Sequence, residues 1–513
     1  MHRDRPVDQT AQPRRNADDV QRPSPADPVS ASVVDLTFAI SLGAIVLLFS
    51  RAMLNGDGDP ARHIVIGRHI WSHGPRFSDP FSFSRAGEPF LAYEWLSQAA
   101  YAGAHALAGL PGVALLAGLL IAASLALVVA WVRRAGGDPW LALVTGATAA
   151  LLTYTHWLAR PHLFSYVGLA ALLHLTVRPR RELWIGTLFL LWANLHPGFL
   201  YGLIILTVLQ SGAVVEDLRR GVKGMAALSA YLPVAAAGAA SLVNPFGWTL
   251  HAHAIGWLGS TTVGYVDEFL PLELLTGYGV LYLAVVGLLI TGFARQRRWV
   301  GWPVVLVFWA AFIAGLLARR NAPLFALFAL PLTVRALTPV VRTVRWNWLR
   351  TMRAEFARSD RPGWAISRFV VIALLVLVAV DSRVTAVDVL PARFSPAVFP
   401  ADAVATAREL GLEGRLLSKY EWGGYLLYTW PGQRIFIDSM ADFFGDELIG
   451  EYSTMARGAA GWQELMDKHG VSLVLMAPDM LLVAQLKQAD DWNVIHEDDV
   501  AVLLARSDVT PQE

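Results

Sequence analysis

Asn55-Gly-Asp57-Gly-Asp59-Pro-Ala-Arg62-His63 opens a polar segment that follows directly on the first membrane-length apolar run. The segment continues through Ile70-Trp-Ser-His73-Gly-Pro and Ser78-Asp79-Pro-Phe-Ser to Tyr93-Glu94-Trp95-Leu96. Carboxylates, histidines and arginines crowd together here, in a chain that is otherwise mostly apolar. A loop needs none of this chemistry merely to join two spans. Acidic groups held at a membrane surface are what an enzyme needs to work on a lipid-carried substrate.

Composition sets the frame around that segment. The 513 residues are 55% hydrophobic and 16% charged, with a positive mean hydropathy, too apolar for an ordinary soluble protein. The 19 Trp, 13 Tyr and 23 Phe supply material for interfacial belts. A net charge of +1 carries no basic excess, and nucleic acid is not an expected partner. The absence of cysteine excludes disulfides, thiolate nucleophiles and thiolate metal sites. Residues 1–30 are polar and rich in Pro, Asp and Arg, with no apolar core, so they read as a disordered cytoplasmic tail rather than a signal peptide.

Crossing the hydrocarbon layer takes about 20 helical residues. Runs at 31–50, 112–132, 139–157, 162–177, 183–196, 199–215, 225–243, 275–293, 300–317, 322–338 and 369–386 make about eleven spans. Basic clusters fall at Arg133/Arg134, Arg178/Arg180/Arg181, Arg219/Arg220/Lys223 and Arg295/Arg297/Arg298. A larger one runs through Arg335, Arg342, Arg345, Arg350, Arg353, Arg358 and Arg361. With eleven spans all of these share the side of the N-terminal tail, which the positive-inside rule puts in the cytoplasm. Counting 90–107 as a further crossing would send the later clusters outside, so that stretch is expected to lie at the outer interface. Loops 51–111 and 244–274 and the region after 387 then face outward. The expected fold is an α-helical polytopic membrane protein, its transmembrane domain at 31–386, with a C-terminal soluble α/β domain at 387–513. Within that domain β-like runs fall at 415–418, 425–430, 434–438 and 471–476, with a pair near 492–505. Helical patterns fit 401–410, 445–456, 462–469 and 479–487.

Asp57 and Asp59 lie just beyond the first span, among Gly and Pro that keep the backbone out of a helix. A carboxylate there has the chemistry of a general base for an acceptor hydroxyl, or equally of a ligand to a divalent cation. The bland alternative is a solvated Asp-Gly turn. Asp79-Pro also reads as a turn start, and Glu94 as a wet face of an amphipathic helix. Arg62, His63, Arg68, His69 and His73 recur at helical spacing, suited to a lipid phosphate or simply to head groups. Further polar groups sit at predicted outer span ends: Arg160-Pro-His162, Asn194-Leu-His196, Asn244-Pro with Glu268, and Arg319-Arg320-Asn321. Arg319 and Arg320 break the positive-inside trend, which points to an anionic ligand or to an ion pair with Glu268 or Asp267. No histidine pair forms a metal motif such as HExxH.

A first span, a long acidic outer loop, many further spans and a soluble C-terminal domain together resemble the GT-C superfamily of integral-membrane glycosyltransferases. Within it the chain is similar to bacterial relatives of the dolichyl-phosphate-mannose protein mannosyltransferases. The matching residues are Asp57-Gly-Asp59 with His63 and Gly67-Arg68, Asp79-Pro-Phe-Ser-Phe, Glu94-Trp-Leu, Arg160-Pro-His, Asn194-Leu-His196, Asn244-Pro-Phe-Gly and Arg320-Asn321-Ala-Pro-Leu-Phe. Tyr420-Glu-Trp-Gly-Gly-Tyr and Ile435-Phe-Ile-Asp438 match in the C-terminal domain. The chain departs from the family in carrying Arg62 where a tryptophan often precedes the histidine.

The resemblance implies inverting transfer of a sugar from a polyprenyl-phosphate donor to a glycan, lipid or protein acceptor on the outer face of the inner or plasma membrane. It maps the catalytic acid to Asp59, with Asp57 beside it. His63, Arg62, Asp79, Glu94, Arg160, His162, His196, Glu268, Arg319, Arg320 and Asn321 are then the expected substrate and lipid-phosphate contacts. No obligatory metal is expected, although the acidic loop has the oxygen ligands for a divalent cation. A non-catalytic scaffold of envelope assembly and a glycolipid transporter are the competing readings.

Overall fold

Apolar runs in lipid must satisfy their own backbone, and a helix does so within one segment. The computed structural model describes residues 32–134, 137–222, 224–257, 259–341, 343, 347–360, 363–383 and 390–509. The expected tail at 1–30, and Lys223, Arg342, Arg345 and Arg361, lie outside the described residues. The chain runs through α1 (Val33–Asn55), α2 (Asp59–His73), a hairpin of β1 (Arg76–Ser78) and β2 (Pro89–Leu91), and α3 (Trp95–Arg133). It continues through α4 (Pro139–Thr153), α5 (His162–Leu175), α6 (Arg181–Leu195), α7 (Phe199–Arg219), α8 (Met225–Ser241) and α9 (Trp248–Trp257). Then come α10 (Gly277–Arg295), α11 (Trp302–Leu317), α12 (Arg319–Val341), α13 (Asn347–Ser359) and α14 (Ala365–Arg383). The described residues of the expected spans fall largely on helices, and among the described residues five helices, α1, α3, α7, α10 and α12, are long and apolar enough to cross a membrane, against the eleven spans expected.

Polar groups gather at the ends of the bundle. At one end Arg133 pairs with Asp360, Arg353 with Asp138, and Arg335 lies over the Trp131 ring at 4.5 Å. Arg133, Arg335 and Arg353, all expected on the basic side, thus meet there. At the other end Trp95 Nε1 donates to Asn194 Oδ1 (2.9 Å) and Asn194 Nδ2 to the Val243 carbonyl (2.8 Å).

The stretch 90–107 divides differently from expectation. Its first residues belong to β2 and its remainder is the start of α3, which bends sharply at Ala108 and Gly109. Gly109 takes φ 60°, a left-handed conformation that residues with a Cβ avoid. Pro111 follows in the first turn after the bend, where a missing N–H costs nothing.

The C-terminal layer is a four-stranded sheet of β3 (Leu416–Ser418), β4 (Leu473–Met476), β5 (Trp492–Glu497) and β6 (Val502–Arg506), in the order β3-β4-β6-β5. β3 and β4 are parallel, and the other two pairings are antiparallel. Five helices pack with it: α15 (Ala401–Glu409), α16 (Gly423–Thr429), α17 (Ala441–Ala456), α18 (Trp462–His469) and α19 (Leu481–Leu486). Two expected strands are corrected. Of residues 425–430, expected as a strand, 425–429 are helical, because a short apolar run fits a buried helix face as well as a strand, and Tyr425, Leu426 and Leu427 all turn inward. Residues 434–438 make only isolated bridges. Ile435 is threaded between Leu416 of β3 and Ser82 of the hairpin loop, its N–H donating to the Phe81 carbonyl (3.2 Å) and its own carbonyl accepting from Phe83 (3.0 Å).

The hairpin loop and the C-terminal layer therefore share one core, in which Ile66, Ile70 and Phe90 pack with Leu417, Phe436 and Met440. The join is closest at Gly58 and Gly424. Gly58 N–H donates to the Glu421 carbonyl at 3.0 Å, and a Cβ on Gly424 would lie 2.3 Å from the Gly58 oxygen and 2.8 Å from Arg62 Cβ. Gly424→Ala should lower the thermal unfolding midpoint of the detergent-solubilised protein, with a loss of about 1–3 kcal/mol for overpacking. Gly450→Ala, in open space on α17, should leave it unchanged or slightly raised.

Candidate functional site

α2 positions the first group of side chains. Within 55–63 only residues 56–58 stay out of a helix; contrary to the expectation that Gly and Pro keep both acids out of one, Asp59 with Pro60 forms the first turn of α2. That turn favours both residue types, since Pro lacks the N–H that a first turn leaves unbonded and an acid faces the positive end of the helix dipole. One face of α2 then buries Asp59, Arg62, His63 and Ile66 together.

Asp59 is held from three sides. Arg62 Nη2 lies 3.1 Å from Oδ1, the Ser439 hydroxyl donates to the same oxygen, and Arg160 Nε lies 3.3 Å from Oδ2. Asp57 pairs with Arg160 and accepts the Asp59 N–H at 2.9 Å. Arg62 also faces Asp438 at 3.7 Å. Three carboxylates thus meet two guanidinium groups in a buried space. Burial pushes the Asp438 carboxyl up to about 6, against the pull of Arg62. Burial opposes the charge of Arg62, but Asp59 and Asp438 outweigh it and hold the guanidinium firmly protonated. Arg62 Nε, Arg62 Nη1 and Arg160 Nε make no hydrogen bond, the last two having only the ion-pair contacts with Asp438 and Asp59, so these N–H groups are not taken up by hydrogen bonds within the protein.

A second group adjoins the first. Glu94, at the start of α3, lies 3.9 Å from His63 Nδ1 and 3.6 Å from His196 Nε2. Burial raises its carboxyl to about 8, the influence of Arg62 being insufficient to reverse it. A third group contains Glu268, 3.3 Å from Arg320. Burial works against Glu268 ionising, but Arg320 and Arg160 outweigh it and hold the carboxyl down to about 2. Arg320 also covers the Phe269 ring at 4.3 Å.

The remaining expected residues have local partners. Asp79 caps its own loop, accepting from Phe81 N–H (2.9 Å), Ser82 N–H (3.1 Å) and Ser82 Oγ (2.5 Å). His162 Nε2 binds the His156 carbonyl (2.7 Å), Arg319 pairs with Glu273, and Asn321 donates to the Ala314 carbonyl (3.1 Å). Three polar residues of the C-terminal layer approach the site and were not among the expected contacts. Asp438 ends one of the motifs quoted above, whereas Ser439 and Asp442 carry no sequence signal. Asp442 accepts from His253 at 2.7 Å beside Tyr93. Among the described residues, no group of three or more His, Asp or Glu is placed to hold a metal ion.

Arg62 is the shared partner of two buried carboxylates, and its removal leaves Asp438 without its guanidinium and Asp59 with that of Arg160 alone. Arg62→Ala should destabilise the protein by about 3–5 kcal/mol, read in thermal unfolding, whereas Arg62→Lys should recover part of that loss.

The chain matches no protein-family model and no curated protein. Solved structures do match it. The oligosaccharyltransferase AglB from Archaeoglobus fulgidus, in complex with an inhibitory peptide and a dolichol-phosphate, superposes with a TM-score of 0.53 at 13% identity, over 86% of this chain and 69% of that one. ArnT from Cupriavidus metallidurans bound to undecaprenyl phosphate superposes with a TM-score of 0.50 at 14% identity, over 94% of this chain and 100% of that one. Its apo form gives a TM-score of 0.51 at 14% identity, over 93% and 99%. At this identity the likeness is one of fold: over most of its length the chain shares the fold of AglB and ArnT.

Proposed function

We propose that the protein is a membrane glycosyltransferase that moves a sugar from a polyprenyl-phosphate donor to an acceptor hydroxyl, with Asp59 as the base. The observation that carries this reading is the convergence of Asp59, Asp57, Arg62 and Arg160 at one end of an apolar helical bundle with free guanidinium N–H donors among them. The structural neighbours are seen with dolichol-phosphate and undecaprenyl phosphate, ligands of the chemistry those donors suit. In this reading the N-terminus is cytoplasmic, residues 387–513 form the outer domain, and the acidic end of the bundle opens to the outer face of the inner or plasma membrane.

The acceptor oxygen attacks the anomeric carbon as the bond from that carbon to the phosphate oxygen breaks. Asp59 takes the proton that the attacking hydroxyl releases. A carboxylate gripped by two guanidinium groups is a poor base toward a free alcohol. It suffices here, because the hydroxyl becomes strongly acidic once its oxygen bonds to an oxocarbenium-like carbon. The Ser439 hydroxyl, which donates to Asp59, occupies the place that the acceptor hydroxyl would take. The leaving lipid phosphate is already anionic and gains more from cations than from a proton. Arg160 and Arg62 stand nearest to supply them, and Arg320 adjoins through Glu268. Arg319 is turned away toward Glu273. Because cationic side chains do this work, no resident metal is required.

Transfer of radiolabelled sugar from polyprenyl-phosphate donors, compared for wild type and Asp59→Asn at matched expression, tests the reading. Positioned general-base catalysis contributes about 10²–10⁴ in rate, so the variant should lose at least about a hundredfold, while chelator leaves the wild type unaffected. Near-normal transfer by a folded Asp59→Asn protein would remove Asp59 from the role.

A further inference from the structure

Three helices, α3, α5 and α12, run from the acidic site to a second polar cluster at the far end of the bundle. α3 starts beside Glu94 and carries Trp131 near its end, and α5 follows Arg160 and carries His174 in its last turn. α12 opens with Arg319 and Arg320 and bears Arg335, roughly 20 Å further on by the helical rise. At that end the Arg335 guanidinium lies over the Trp131 ring at 4.5 Å, and the His174 ring stands nearly perpendicular to the same indole at 5.5 Å. His174 Nε2 donates to the Leu127 carbonyl at 2.9 Å, and the His174 carbonyl accepts from Arg134 Nη1 at 3.5 Å. The cations that bear on the His174 ring are Arg134, Arg178 and Arg335.

The cluster carries charge of one sign. Arg133 and Arg353, at the same end, each pair with an aspartate. Among the described residues Arg134, Arg178 and Arg335 pair with none, Arg134 meeting a carbonyl and Arg335 a ring. Helix dipoles account for two of the three, since Arg134 and Arg178 lie just past the C-terminal ends of α3 and α5, where a cation is favoured. Arg335 has no such reason, being more than a turn from either end of α12. A ring face attracts a cation but has no net charge with which to neutralise it. Two buried donors are also left over. Arg335 Nη1 and Trp131 Nε1 make no hydrogen bond within the protein, and Trp131 is only 3% exposed. Unmet donors and an uncompensated guanidinium both cost stability, and an oxyanion supplies the acceptor and the charge together.

We propose that Arg134, Arg178 and Arg335 form a binding site for a phosphate group, carried by a phospholipid head group or by a soluble phosphate. The site is separate from the acidic one and does not rest on the glycosyltransferase reading. Phospholipid phosphates lie at the level of the bundle ends, and basic pockets between membrane helices take anionic head groups. Arg335 is the inner contact, and Arg134 and Arg178 stand at the mouth.

The test uses the full-length protein in nonionic detergent with three probes: phosphatidylglycerol, zwitterionic phosphatidylcholine and inorganic phosphate. Binding is counted by native mass spectrometry and read as a rise in the thermal unfolding midpoint. Phosphatidylglycerol should bind and raise the midpoint more than phosphatidylcholine at the same concentration. A comparable rise with inorganic phosphate assigns the site to a soluble phosphate instead. Arg335→Gln should weaken binding of the active probe by about tenfold or more, the loss of one charge-assisted hydrogen bond. Without any probe this variant should unfold no lower than wild type, because the charge it removes has no counter-ion in the protein. Arg134→Gln, at the mouth, supplies a second variant in which the inner packing is untouched. Arg358→Gln, an exposed arginine on α13 at the same end, should bind as wild type does. No binding of any probe, affinity unchanged in both Arg335→Gln and Arg134→Gln, or an equal loss in Arg358→Gln overturns the inference.

Discussion

The Arg62 guanidinium, lodged between Asp59 on its own helix and Asp438 on the C-terminal layer, is the contact on which the rest of the site depends. It ties α2 to a segment more than 370 residues away along the chain, across a seam where Gly58 and Gly424 let the two backbones touch. A buried charge must be compensated or neutralised. Arg62 compensates two carboxylates at once, so neither α2 nor the loop at 438–440 can move without exposing an unpaired charge in the other.

The same economy of charge explains the shape of the whole acidic end. Six carboxyls, Asp57, Asp59, Glu94, Glu268, Asp438 and Asp442, share the neighbourhood with three guanidinium groups, those of Arg62, Arg160 and Arg320. Full ionisation would leave the site strongly negative and hostile to a phosphate. The structure divides the carboxyls instead. Asp57, Asp59 and Glu268 take the arginines, while burial raises the carboxyls of Glu94 and Asp438.

Much of this was legible in the chain before its fold. The period of the apolar runs, the end-to-end segregation of arginines and the order of the motifs all point to a polytopic bundle with its chemistry in the first outer loop. Asp59, Arg62, Glu94, Arg160 and His196 were visible as polar groups with no reason to exist in a purely structural membrane segment. Less legible was which of them share a site. Asp79 read both as a turn start and as an expected substrate contact, and its three hydrogen bonds to Phe81 and Ser82 show that it caps its own turn. Arg319 and Arg320 are neighbours in sequence but face different carboxylates.

The sequence by itself determined the class of fold, the rough placement of the apolar helices, and the loop that holds the acids, because hydrophobic periodicity and charge placement act locally along the chain. It also contained the glycines that allow close approach, without naming their partners. Tertiary structure alone decided that residues 425–429 coil rather than extend, that Ser439 and Asp438 complete a site begun at Asp57, and that His196 meets Ser165 of a neighbouring helix. Each of these rests on atoms brought within hydrogen-bond or ion-pair reach across tens to hundreds of residues. Such forces act through space, and no local pattern encodes which distant residue will arrive.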